Sequence, residues 1–193
     1  MDGGPGPQAP ESKRSAQFRS CPDDLKRRPG CWWSYAGLVT DDPVTPPVLV
    51  SACLRGVPCR FDGRDKAVRG VDEELAGRRV VAFCPEQAGG LATPRAAAEL
   101  VGGDGYDVLD GRARVVDVNG VEVTEAFVAG AHRALDAARR TGCTEAVLMP
   151  RSPSCGRGEV YDGEFRGVLV PGDGVTAALL ERNGIAVRRA PGV

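Results

Sequence analysis

Four short apolar runs, separated by segments with helical character, constrain the fold of this sequence most. They lie at residues 48–52, 79–83, 145–149 and 185–187. Short apolar runs bounded by turn residues are typical of strands that are buried on both faces, as in parallel sheets. Buried strands that alternate with helices predict an α/β fold with a mainly parallel sheet, in a Rossmann-like three-layer domain.

The segments between these runs predict two helices, a β-hairpin and a further strand. In residues 124–140, apolar residues recur on one face and Gly142 follows as a stop signal, so we expect a helix that Thr124 caps. A second helix is expected over residues 174–182. Asn119-Gly120 predicts a tight hairpin within residues 114–124. We also expect a strand at residues 165–170.

The first 47 residues differ in composition from the rest of the chain. They hold eight of the fifteen prolines and show no sustained apolar period. Such a segment cannot bury enough apolar surface to offset the entropy of ordering it. We therefore predict a disordered, Pro-rich leader at residues 1–47 and a folded α/β domain at residues 48–193.

Charge and hydropathy exclude several classes of partner. Lys and Arg total 25 against 26 Asp and Glu, which argues against binding DNA through bulk charge. No apolar run approaches the roughly 18 residues of a membrane span, and the start lacks the features of a signal peptide. We expect a cytoplasmic protein without a membrane partner. The balance of charges also counts against independent tRNA binding. A local basic patch could still support such binding, and its candidate residues are Arg55, Arg60, Arg64 and Lys66.

Cysteines stand at the ends of three predicted strands. Cys53 and Cys84 directly follow the first two strands, and Cys155 follows the third after a short loop. Because ligands bind outside the carboxyl ends of parallel strands, we expect these thiols to converge on one crevice. With a single histidine in the chain, they suit zinc, copper(I) or an iron–sulfur cluster. A structural zinc needs four ligands, and Cys59 can be the fourth. A 4Fe-4S cluster on three cysteines leaves one iron open as a Lewis acid.

Motifs along residues 48–189 carry a family resemblance. In chain order they are SACLRG at 51–56, CRFDG at 59–63, CPEQ at 84–87, GGL at 89–91, TPR at 93–95, SPSCG at 152–156, YDG at 161–163 and GVTA at 174–177. Together they resemble a bacterial domain-of-unknown-function family that includes the 2-thiouracil desulfidases. The sequence departs from the family at Phe61, where tyrosine is commoner, and at Met149, where lysine often ends the third strand.

The resemblance implies a non-redox desulfidase that removes sulfur from a small thiolated pyrimidine or nucleoside. It implies a 4Fe-4S cluster on Cys53, Cys84 and Cys155, with Cys59 outside the ligand set. For such a reaction, Glu86 is the candidate general acid or base, or else it orients the loop of Cys84. Further candidates for contacts to cluster or substrate are Ser152 and Ser154 as catalytic residues, and Ser51, Arg60, Asp62 and Arg95 as substrate-binding residues.

Two other functions remain open on the sequence. One is a non-catalytic domain that binds or senses zinc through Cys59 and the three strand-end cysteines. The other is an accessory domain that serves a partner enzyme in tRNA sulfur metabolism.

Overall fold

A computed structural model describes Met1 and residues 45–193 of the chain. Residues 45–193 belong to one compact unit. Almost all of the leader predicted at residues 1–47 lies outside the described residues.

Eight strands and five α-helices are found in the described part of the chain. The strands are β1 (Val48–Ser51), β2 (Val80–Phe83), β3 (Ala98–Val101), β4 (Arg114–Asp117), β5 (Glu145–Leu148), β6 (Glu159–Tyr161), β7 (Leu169–Pro171) and β8 (Ala186–Arg189). The helices are α1 (Arg69–Glu74), α2 (Pro85–Ala88), α3 (Gly105–Leu109), α4 (Thr124–Thr141) and α5 (Val175–Arg182).

The centre of the fold is a four-stranded sheet in the order β2-β1-β5-β8. All three neighbouring pairs in it are parallel. These four strands are those that the four apolar runs predict. The predicted α/β fold with a mainly parallel sheet is therefore confirmed.

Side chains of β1 supply core to both faces of the sheet. Val48 and Val50 pack in one cluster with Val71 of α1. Leu49 points to the other cluster, together with Phe127 of α4 and residues of α5. Successive strand residues point to opposite faces, and all four residues of β1 are buried, so helices cover this strand on both sides. The result is the predicted three-layer arrangement.

Helix α4 follows the prediction closely, except at its start. Gly142 ends the helix with a left-handed φ of 76°. The residue at the N-cap position is Val123, and the Thr124 hydroxyl oxygen instead accepts a hydrogen bond from the backbone N–H of Val115 at 3.0 Å. The predicted Thr124 cap is thus wrong, because this hydroxyl binds β4 to the helix instead of closing the first turn.

The predicted hairpin at residues 114–124 is present but short, with backbone hydrogen bonds from Asp117 N–H to the Val121 oxygen and from Val123 N–H to the Val115 oxygen, both at 2.9 Å. Beyond Asn119-Gly120 the chain forms a single antiparallel bridge, between Val116 and Glu122. Strand β4 pairs over four residues with β3, which the sequence did not identify as a strand. Strand β4 therefore pairs on both of its edges, with β3 on one side and with the short return of the predicted hairpin on the other.

The strand predicted at residues 165–170 does not join the central sheet. Strand β7 begins only at Leu169, is exposed, and pairs with β6 in a separate antiparallel ribbon. Phe165 has a φ of 55° in the loop between them, a conformation incompatible with a regular strand.

None of the helices in the described residues is long and apolar enough to cross a membrane.

Candidate functional site

A cavity of about 660 Å³ opens at the carboxyl ends of the central strands. Cys53 follows β1 and Cys84 follows β2, while Cys155 lies in the loop after β5. These three strands are neighbours in the sheet, so their ends lie about 5 Å apart from one strand to the next. All three predicted thiols consequently line the same cavity.

A fourth thiol, that of Cys59, lines the cavity beside them. A hydrogen bond with the Cys53 thiol is the main cause that raises the pKa of Cys59, to about 11. The pKa of Cys84 is also raised, first by its hydrogen bond with the Cys59 thiol and then by burial. Burial raises the pKa of Cys155 to about 12. The thiols of Cys59, Cys84 and Cys155 thus hold their protons more strongly than a free thiol, and a bound metal would have to displace these protons.

The chemistry of this donor set suits a soft metal or an iron–sulfur cluster. Thiolates are the ligands of both, and the cysteines of residues 45–193 are all free. In that same part of the chain, no group of three or more His, Cys, Asp and Glu side chains is drawn together in the arrangement of a metal site. The cysteines thus fit the predicted cluster in ligand type and line one cavity, but their side chains are not gathered into a formed metal site.

Hydrogen bonds that the Ser152 hydroxyl oxygen accepts shape the loop that carries Cys155. The Ser152 hydroxyl oxygen accepts from the backbone N–H groups of Ser154 and Cys155, both at 3.1 Å. The Ser154 hydroxyl is fully buried, bonds to the hydroxyl of Thr176 at 2.9 Å, and is not among the groups that line the cavity. Ser152 itself lines the cavity. Of the two serines, only Ser152 is therefore placed to meet a bound molecule.

Ser51 connects two strands at the edge of the cavity. Its hydroxyl oxygen accepts a hydrogen bond from the backbone N–H of Met149 at 3.0 Å, which joins the ends of β1 and β5. It also hydrogen-bonds the Cys155 thiol, which works against the effect of burial on the pKa of that thiol.

An ion pair between Glu86 and Arg95 crosses one wall of the cavity. Glu86 lies in the first turn of α2, and its Oε2 accepts from Arg95 Nε at 2.9 Å and from Nη2 at 2.5 Å. The other carboxylate oxygen, Oε1, lies 3.4 Å from the Ser152 hydroxyl. Arg95 also donates to the carbonyl oxygen of Cys59 at 3.2 Å. This network fixes the orientation of Glu86 relative to the loops of two cysteines.

Basic and aromatic side chains line another part of the cavity. Arg60, Phe61 and Lys66 are among these residues, but Asp62 is not. Asp62 accepts hydrogen bonds from Arg60 Nε at 3.3 Å and from the backbone N–H of Arg64 at 3.1 Å, as expected of a residue that forms a turn. The substrate-binding roles of Arg60, Asp62 and Arg95 stay predictions.

The cavity contains residues for which the sequence predicted no role in the site. Glu99 of β3 is a buried carboxylate on its wall, and Tyr161 and Phe165 come from the ribbon of β6 and β7. Arg151 and Phe165 both have a positive φ, at 59° and 55°. Left-handed backbone at bulky residues is uncommon and clusters at functional sites. Only Tyr161 among them belongs to one of the sequence motifs, YDG at 161–163, and β3 and β6 lack the apolar runs that mark the central strands.

Comparison with known proteins gives a consistent assignment. Residues 48–190 match the 2-thiouracil desulfurase family. The uncharacterized protein YbbK of Bacillus subtilis (strain 168) is 42% identical over 140 residues, which cover 72% of this chain and 93% of YbbK. The solved structure of the 4Fe-4S-dependent thiouracil desulfidase TudS is 43% identical in sequence. That match covers 75% of this chain and 90% of TudS, with a TM-score of 0.65. This chain therefore belongs to the 2-thiouracil desulfurase family.

Proposed function

We propose that this protein hydrolyses the thiocarbonyl group of a thiolated pyrimidine, as free base or nucleoside, with a 4Fe-4S cluster held by Cys53, Cys84 and Cys155. Water supplies the oxygen that replaces sulfur, the sulfur leaves as hydrosulfide, and no net electron transfer is needed. The observation that carries the proposal is the meeting of these three thiols, from the ends of three adjacent strands, on one cavity. When bound, such a cluster supplies an iron without a protein ligand, which can polarise a thiocarbonyl sulfur as a Lewis acid.

Glu86 is the residue that we assign to proton transfer. Its Oε2 is occupied by two hydrogen bonds from Arg95, whereas its Oε1 has only the 3.4 Å contact with the Ser152 hydroxyl. Oε1 is therefore the oxygen left to take a proton from the attacking water. Arg95 acts as a positioning residue, since it holds the carboxylate in one orientation.

The cavity also suits the shape of a pyrimidine. Phe61 and Phe165 both line it and are 42% and 37% exposed, so each offers aromatic surface to a planar ring. Arg60 and Lys66 line the same cavity and supply N–H donors for the exocyclic oxygen of a pyrimidine or for a ribose. A volume of about 660 Å³ accommodates a nucleoside as well as a base.

The alternative with an observation in its favour is a structural zinc on four cysteines. Cys59 lines the same cavity as the other three cysteines, and the Cys84 thiol donates to the Cys59 carbonyl oxygen at 3.8 Å, so a fourth sulfur is available beside the other ligands. The two functions differ in their need for Cys59, because the cluster uses three cysteines and tetrahedral zinc uses four.

The deciding experiment is metal analysis of protein purified without oxygen. We expect a brown protein with about four irons and four sulfides per chain. Single Cys→Ser variants at 53, 84 and 155 should lose them, and Cys59→Ser should keep them. Cys143→Ser is the matched control, because this buried thiol lies in the core cluster of α4 and α5 and not on the cavity. The active holoenzyme should release sulfide from 2-thiouracil, and Glu86→Gln should slow that release without loss of iron. A colourless protein that holds zinc, and loses it in Cys59→Ser, would contradict the proposal.

A further inference from the structure

Glu99 is a buried carboxylate that the proposed reaction does not use. It lies within β3, is only 8% exposed, and forms part of the cavity wall. A buried carboxylate is costly unless hydrogen bonds compensate for its lost hydration. The hydrogen bonds of its two oxygens therefore indicate what the residue is for.

One carboxylate oxygen of Glu99 is fully engaged within the protein. Oε2 accepts from the backbone N–H of Gly163 at 3.0 Å and from that of Phe165 at 2.9 Å. These bonds hold the loop between β6 and β7, in which Phe165 takes its left-handed conformation over the cavity. Glu99 thus holds in place the loop that carries Phe165 at the cavity.

The other oxygen, Oε1, accepts no hydrogen bond from residues 45–193. It is also not sealed in the protein, since the fully enclosed side-chain nitrogens and oxygens without a partner in that range are limited to Arg78 Nε. Because Glu99 is otherwise buried and lines the cavity, the access of Oε1 is from the cavity. Glu86, the other carboxylate on this wall, has contacts to both oxygens.

We propose that Oε1 of Glu99 accepts a hydrogen bond from a ring N–H of the pyrimidine, and so selects substrates that carry this hydrogen. The inference rests on the proposed function, because it concerns the ligand of the same cavity. A carboxylate only accepts hydrogen bonds, so its natural partner in a uracil ring is an N–H and not an exocyclic oxygen. A ring that is alkylated at this nitrogen would leave the buried carboxylate unpaired, which is why rejection should be strong.

Binding of uracil to the cluster-loaded protein tests the proposal without turnover, because uracil has no sulfur to lose. Dissociation constants are measured by calorimetry for uracil, 1-methyluracil, 3-methyluracil and 1,3-dimethyluracil. We expect the wild type to bind 1,3-dimethyluracil at least about tenfold more weakly than uracil, from the loss of a hydrogen bond to a charged group. One of the two monomethyl compounds should show the same loss and thereby identify the nitrogen.

Glu99→Gln is the informative variant. The backbone N–H groups of Gly163 and Phe165 require the oxygen of the new amide, so its NH₂ group turns to the cavity. An N–H donor then faces the ring N–H, so uracil loses its advantage. The ratio of the dissociation constant of 1,3-dimethyluracil to that of uracil should therefore fall to near one. Glu164→Gln is the control, because this side chain pairs with Arg166 on the surface of the same loop and should keep the wild-type ratio. Visible absorption should show an intact cluster in both variants.

The possible failures can be told apart. Equal binding of all four compounds by the wild type, or an unchanged ratio in Glu99→Gln, would overturn the role of Glu99 while sulfide release from 2-thiouracil still supports the proposed function. Absence of both uracil binding and sulfide release from the loaded wild type would overturn the proposed function and this inference with it.

Discussion

Replacing Arg95 by Met should destabilise the domain as well as the site. The guanidinium donates to the carboxylate of Glu86, to the carbonyl oxygens of Cys59 and Ala92, and to the hydroxyl of Thr93. Methionine keeps most of the aliphatic bulk but removes every one of these donors. Glu86 would then remain as an unpaired carboxylate in a largely buried position.

The exposure of the pair sets the size of the effect. The Arg95 and Glu86 side chains are 10% and 16% exposed, so solvent screens their interaction only slightly. Breaking a buried pair by removal of one partner costs about 3–5 kcal/mol, and the residual exposure places this pair near the lower limit, at about 3 kcal/mol. With an m-value of about 2 kcal/mol per molar urea for a domain of this size, the unfolding midpoint should fall by about 1.5 M.

Urea denaturation of the cluster-free protein, followed by far-UV circular dichroism, measures this shift without a contribution from metal release. Arg112→Met is the matched control, since its side chain is 60% exposed beside Asp107 and Asp110 and should change the midpoint little. The double variant Arg95→Met/Glu86→Gln should recover part of the loss, because no unpaired charge remains. A midpoint for Arg95→Met equal to that of Arg112→Met would refute the reasoning.

Two further predictions concern the framework of the site. A Cβ at Gly130 of α4 would overlap the carbonyl oxygen of Pro85, next to the cysteine that ends β2, so Gly130→Ala should lower the free energy of unfolding by about 2–3 kcal/mol. Gly70→Ala, where nothing lies within 4 Å, should leave it unchanged or raise it, and equal thermal midpoints of the two variants would contradict the packing argument. At the start of β5, the hydrogen bond from Arg188 is the main cause that lowers the pKa of Glu145 below its usual 4.5. A carboxylate whose pKa is lowered in the folded state adds stability at pH values above its usual pKa, and this stability is lost as the pH falls through the folded-state pKa. Glu145→Gln should therefore be less stable than the wild type at pH 7 and should lose less stability between pH 5 and pH 3. Parallel pH profiles of unfolding free energy for wild type and variant would argue against this.

The central sheet and the meeting of the cysteines could be predicted because both depend on local signals. The runs at 48–52 and 145–149 are apolar except for Ser51 and Glu145, since strands covered on both faces have little solvent side on which to place polar residues. Once these strands are known to be parallel, their carboxyl ends must share an edge, which brings Cys53, Cys84 and Cys155 together without further information.

The predictions missed strand pairing between distant segments. Asn119-Gly120 makes the predicted hairpin turn, but β4 also pairs with β3, whose sequence carries no strong strand signal. Residues 165–170 are apolar enough for a strand, but the loop containing Phe165 bends away from the central sheet. Local propensity is a weak guide in such segments, because the choice of partner depends on which strand is free to pair.

The sequence by itself determined the layered α/β scaffold, the edge of the sheet at which the site lies and the sulfur ligands available there. Only the tertiary structure decided which polar groups around those sulfurs form hydrogen bonds with one another. Ser152 meets Glu86 across 66 residues of sequence, and Glu99 holds Phe165 across another 66. Hydrogen bonds need donor and acceptor within about 3 Å and at a restricted angle, and residues so far apart in the chain satisfy this only after the whole domain has packed.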